Sequence, residues 1–126
     1  MLPRVLIVDD EPNIHYSFQK ILGKDYDIVS AYSAADGIAL LRSKSLDAVV
    51  MDIKMPGMDG LEALQKMREI DKQIPIVMMT AFGSVDTAVE AMKHGAFQYV
   101  QKPFDIEQLK GLLNKALTTP DKRQQM

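Results

Sequence analysis

The run Ala48-Val49-Val50-Met51 leads straight into Asp52, and Pro56-Gly57 breaks the chain a few residues later. A continuous apolar run this short, closed by turn residues, is the pattern of a strand buried on both faces; a half-exposed strand would alternate apolar with polar positions. The pattern recurs. Val5 to Val8 runs into Asp9-Asp10, and Ile76 to Met79 stops at Thr80; a further strand of mixed polarity, Phe97 to Gln101, stops at Lys102-Pro103. Each of these strands therefore delivers a polar side chain to its own carboxyl end.

Between these runs the apolar spacing changes to that of helices. Pro12 suits a first helical turn, where its missing N–H costs nothing, and Ile14, Phe18, Ile21 and Leu22 follow on one face, with Gly23 offering a left-handed stop. Asp27 to Ala31 reads as a weaker second strand. Ser33-Ala34-Ala35-Asp36 has the form of a capping box and opens a helix with Ile38 and Leu41 inward. After Asp52 comes a helix bearing Leu61, Leu64 and Met67. Ser84 is placed to cap the next, with Val85, Ala88, Val89 and Met92 on one stripe and Gly95 at its end. Asp105 caps a last helix built on Ile106, Leu109, Leu113 and Ala116. Five strands alternating with five helices through short connections predict an α/β fold with a parallel sheet covered on both faces. The expected domain is 1–118, and 119–126 reads as a polar tail or the start of a linker.

Composition narrows the chemistry. At 126 residues, with 47% hydrophobic and 25% charged, the chain has the makeup of one ordinary globular domain. It contains no cysteine, which excludes thiolate zinc sites and cysteine nucleophiles and suits a cytoplasmic setting. No apolar stretch approaches the roughly 18 residues of a membrane span. The net charge is −2 with basic residues scattered, so no basic face for gripping nucleic acid is expected.

In an open α/β sheet, ligands bind outside the carboxyl ends of the strands. This chain places Asp9, Asp10, Asp52, Thr80 and Lys102 there. Carboxylates about 4 Å apart repel by roughly 4 kcal/mol at an effective dielectric near 20. A hard divalent cation with oxygen ligands relieves that repulsion, and Mg²⁺ suits a few carboxylates completed by water and phosphate oxygens. Asp52 could then act as nucleophile toward a phosphoryl group, with Lys102 and Thr80 binding the phosphoryl oxygens.

The set Asp9-Asp10-Glu11-Pro12, Met51-Asp52-Ile53-Lys54-Met55-Pro56-Gly57, Thr80-Ala81 and Lys102-Pro103-Phe104 resembles the receiver domain of two-component response regulators from Arg4 to about Leu117. The resemblance implies a flavodoxin-like (CheY-like) fold of strand order 2-1-3-4-5. It makes Asp52 the acceptor of phosphate from a sensor histidine kinase. It assigns Mg²⁺ to Asp10, Asp52, the backbone carbonyl of Lys54, and Asp9 through water. It implies a cis bond between Lys102 and Pro103, gives Thr80 and Tyr99 the part of a switch, and gives Lys54 and Phe82 influence over the lifetime of the mark. The segment from Met79 to Tyr99 is similar to receivers of the NtrC type, implying AAA+ and DNA-binding domains of a sigma-54-dependent activator downstream and admitting a homodimer formed on phosphorylation.

Plainer roles compete. His15 and His94 fall on helices and read as surface or capping residues, the strand and helix methionines as core, and Asp59-Gly60 as a turn. Tyr99 also serves simply as a strand former. A stand-alone, chemotaxis-type docking module fits the same residues. An aspartate-nucleophile phosphohydrolase would want a second carboxylate two residues past Asp52, where Lys54 stands, and a cap insertion that is absent.

Overall fold

A computed structural model describes residues 2–81 and 85–118, excluding the side chain of Val85. The sheet comprises β1 (Arg4–Val8), β2 (Asp27–Ala31), β3 (Ala48–Asp52), β4 (Ile76–Thr80) and β5 (Gln98–Gln101). The helices are α1 (Pro12–Leu22), α2 (Ala34–Ser43), α3 (Gly60–Ile70), α4 (Val85–Lys93) and α5 (Ile106–Thr118), one after each strand. All strand pairs are parallel, as the alternation of elements predicts, and their order is β2-β1-β3-β4-β5, the one the resemblance implies.

Side chains alternate across a strand, so each buried run feeds two cores. Leu6, Val8, Val49, Met51, Ile76 and Met78 point to the layer holding Ile38, Leu41, Leu64, Met67 and Ala91. Val5, Ile7, Val50, Val77 and Met79 point to the other, against Phe18, Leu22, Leu109 and Leu113. β3 and β4 are buried at every position, which is why their sequences show no alternation.

Local signals behave largely as read. Ser33 Oγ accepts from the Asp36 N–H at 3.1 Å, and Gly95 takes φ +97° to end the α4 segment. Three details differ. Gly23 stays right-handed at φ −64°, its N–H bonded to the Gln19 carbonyl, so α1 ends without a left-handed turn. Ile21 is exposed, because the buried stripe of α1 runs through His15, Phe18 and Leu22. Among the described side chains of α4 the buried ones are the small Ala88 and Ala91, which bring the helix close to its layer and leave Val89 and Met92 in solvent, at 44% and 42% exposure. The expected Ser84 cap, Phe82 and the 119–126 tail lie outside the described residues.

Candidate functional site

Strand register alone assembles the site. Val8 pairs with Met51, so the next residues, Asp9 and Asp52, stand level on neighbouring strands. Asp52 pairs with Met79, which puts Thr80 one step beyond it; Thr80 pairs with Gln101, which puts Lys102 next in line. Because every strand is parallel, these side chains share one edge.

Asp9 is wholly buried and Asp52 is 5% exposed. Lys102 Nζ donates to Asp9 Oδ2 at 2.9 Å and to Asp52 Oδ2 at 3.3 Å. The remaining oxygens are used as well: Asp9 Oδ1 accepts from the Glu11 N–H at 2.9 Å, and Asp52 Oδ1 from the Lys54 N–H at 3.3 Å. Carboxylate oxygens of Asp9, Asp10 and Asp52 lie within 4.8 Å of one another, with Asp10 exposed. One ammonium thus bridges two buried carboxylates, with a third, Asp10, in the same cluster. Burial raises the pKa of Asp52 above the ordinary carboxylate value; Lys102 pulls it down and Asp9 pushes it up. Burial alone would lower the pKa of Lys102, but its hydrogen bonds and charge contacts with Asp9 and Asp52 outweigh burial and leave it raised.

The backbone around these groups is tightly fixed. The Lys102 N–H donates to the Thr80 carbonyl at 2.6 Å, the Ile53 N–H to the Met79 carbonyl at 2.9 Å, and the Asp9 N–H to the Ala31 carbonyl at 3.1 Å. The Lys102–Pro103 peptide bond is cis. Past Asp52, Gly57 turns the chain at φ +79°, and Asp59 Oδ1 caps α3 by accepting from the Glu62 N–H at 2.9 Å. The Gly60 N–H donates to the Ile53 carbonyl at 2.7 Å, and a Cβ there would lie 2.3 Å from the Asp52 carbonyl oxygen.

Thr80 is buried at the end of β4, next to the pair, whereas Tyr99 is set apart from the acidic cluster. Tyr99 pairs with Met78, short of the edge, and is 41% exposed beside Ala88, Val89 and Met92. His94 lies just past α4, 3.4 Å from Glu90. His15 corrects the surface reading: it is 4% exposed, and its Nε2 donates to the Asp9 carbonyl at 2.7 Å. The spacing 15, 18, 22 on α1 carries that signal, which the apolar residues Ile14 and Ile21 beside it mask.

The donor set suits a hard cation. Neighbouring oxygens of an octahedral ion lie about 3 Å apart at bond lengths of roughly 2.0–2.1 Å, so carboxylates gathered within 4.8 Å of one another would hold such an ion directly or through an intervening water. Among the described residues no other group of three or more acidic, histidine or cysteine ligands gathers this closely. Nor, among them, is any helix long and apolar enough to cross a membrane.

Comparison with known proteins agrees with this fold. The family profile described as the response regulator receiver domain matches residues 5–114. The chain is 43% identical over 114 residues to the transcriptional regulatory protein ZraR of Salmonella typhimurium, covering 90% of this chain and 26% of that protein. It is 35% identical over 122 residues to the DNA-binding transcriptional regulator NtrC of Escherichia coli, covering 96% and 26%. Among solved structures, a response regulator receiver domain protein from Clostridium thermocellum superposes with TM-score 0.89 at 30% identity, covering 99% of this chain and 100% of that one. The chain spans about a quarter of the length of the curated relatives it matches.

Proposed function

This chain belongs to the response regulator receiver family, and on that footing we propose that it is a switch set by a phosphoryl group on Asp52. Receivers are signalling domains and not turnover enzymes, which sets aside the phosphohydrolase alternative. The observation that carries the proposal is the convergence of Asp9, Asp10, Asp52 and Lys102 on one edge.

An Asp52 carboxylate oxygen forms the new P–O bond as the donor's P–N bond breaks, the electron pair leaving with the imidazole nitrogen of a sensor kinase's phosphohistidine. Asp10, Asp52, the Lys54 carbonyl and, through water, Asp9 would hold Mg²⁺, which would supply positive charge for the transferring phosphoryl oxygens. Lys102 already holds one oxygen of Asp52, so its ammonium is poised to follow the added charge. Phosphorylation adds about −1.5 to −2 of charge and three acceptor oxygens. Thr80 turns its hydroxyl to one of them, and Tyr99, exposed in this structure, swings inward. The face formed by α4, β5 and α5 changes shape and passes the signal on.

The curated relatives are transcriptional regulators about four times the matched length, which supports an output of the sigma-54-activator kind through AAA+ and DNA-binding domains. The reading frame downstream tests that output; an immediate stop would make the chain a stand-alone docking module. Acetyl phosphate with Mg²⁺ tests the switch. Intact-mass measurement is expected to show one added phosphoryl group in the parent and none in Asp52→Asn. Persistent labelling of the variant would remove Asp52 from the role.

A further inference from the structure

The mechanism above leaves one buried side chain at the site without a part. His15 on α1 lies against Tyr32, ring centroids 4.2 Å apart, with Nε2 2.7 Å from the Asp9 carbonyl oxygen and Nδ1 2.9 Å from Ser30 Oγ. A carbonyl only accepts, so Nε2 carries a proton and donates; the Ser30 hydroxyl can serve Nδ1 as donor or acceptor. Ser30 is exposed and has water as a substitute partner, whereas Asp9 is wholly buried. The imidazole is thus the partner that the Asp9 carbonyl would miss.

That carbonyl belongs to the peptide joining Asp9 to Asp10, and the plane of this peptide sets the direction in which Asp10 leaves the strand. Its neighbours on the strand side are fixed by the Asp9 N–H bond to the Ala31 carbonyl and the Glu11 N–H bond to Asp9 Oδ1. Without a donor, the buried carbonyl would turn toward water and carry Asp10 with it. We infer that His15 is a positioning residue for the acidic pair, its Nε2 proton locking the Asp9–Asp10 peptide so that both carboxylates face one divalent cation. The inference rests on the reading of the acidic cluster as a cation site.

Three variants separate positioning from packing. His15→Phe keeps a ring against Tyr32 and removes the donor. His15→Gln restores a donor at about the reach of Nε2, and His15→Asn carries the same amide one carbon too short. The measurement is an Mg²⁺ titration followed by backbone amide NMR, with cation-free thermal unfolding to establish that each variant is folded. Loss of support behind a metal ligand typically weakens affinity about 10–100-fold. His15→Phe and His15→Asn are therefore expected to bind Mg²⁺ at least about tenfold more weakly, with shifted Asp10 and Glu11 amides before any Mg²⁺ is added, while His15→Gln stays near the parent. If His15→Phe does not fold, the comparison of Asn with Gln decides. Folded His15→Phe or His15→Asn that binds Mg²⁺ as tightly as the parent overturns this inference alone. A parent that binds no Mg²⁺ overturns the cation-site reading and this inference with it.

Discussion

Replacing Lys102 by methionine tests the electrostatic account of the site without any phosphoryl donor. The ammonium sits 2.9 Å from an Asp9 oxygen and 3.3 Å from an Asp52 oxygen. At an effective dielectric near 20 these contacts are worth about 5–6 kcal/mol each in gross attraction, most of it offset by the cost of desolvating three charges. What the variant exposes is the residue of that balance: two buried carboxylates with no cation between them. Breaking a buried pair in this way costs about 3–5 kcal/mol, and because the Lys102 side chain is 20% exposed the lower end, about 3 kcal/mol, is expected at pH 7.

The pH dependence has a definite sign. Asp52 already has a raised pKa from burial, and losing the ammonium raises it further. The penalty of its ionised form is present above the folded-state pKa and is relieved as pH falls through it. Lys102 has a raised pKa, so its own stabilising contribution is undiminished below the ordinary lysine value of about 10.4. Urea unfolding of Lys102→Met should therefore show a large loss at pH 7, a smaller one at pH 4, and recovery at pH 7 when Mg²⁺ is added. A loss that is equal at both pH values, or no loss at all, would refute the reasoning.

The fold and the switch offer further checks. Phe18 is wholly buried and faces Phe104 across the α1 and α5 layer, so Phe18→Ala should lower unfolding free energy by about 3–5 kcal/mol in urea; a loss under about 1 kcal/mol would mean that this layer is not packed as described. Gly60→Ala forces a Cβ to 2.3 Å from the Asp52 carbonyl oxygen and 2.6 Å from Ile53 Cα, both backbone. It should cost about 1–3 kcal/mol and weaken Mg²⁺ binding together, seen by unfolding and by titration. Thr80→Ala should confine the NMR shifts caused by phosphorylation to the strand edge, whereas the parent's extend into α4 and β5; equal spread in both would break the coupling assigned to Thr80.

Much of this was legible in the order of residues, for a physical reason. A parallel sheet buries its central strands on both faces, so β1, β3 and β4 announce themselves as uninterrupted apolar runs, and their ends are marked by the first polar residue. Asp9, Asp52 and Thr80 stand where those runs stop, and Lys102 follows the half-buried β5. What did not show was set by distances between elements. Val89 and Met92 have the right chemistry for a core, but Ala88 and Ala91 occupy the close approach on α4. His15 looked like a surface residue because a polar ring on a helix usually is one; its partner is a backbone carbonyl that no sequence pattern displays. Gly60 matters through a clearance of the Asp52 carbonyl that only the folded loop creates.

The most direct test of the central claim is to locate the phosphoryl group chemically. The protein is treated with acetyl phosphate with and without Mg²⁺, the acyl phosphate is trapped by borohydride reduction, and the peptides are read by mass spectrometry. Modification of Asp52 alone, and only with Mg²⁺ present, is the predicted result. Modification at another carboxylate, or at Asp52 to the same extent after the cation is chelated, would contradict it.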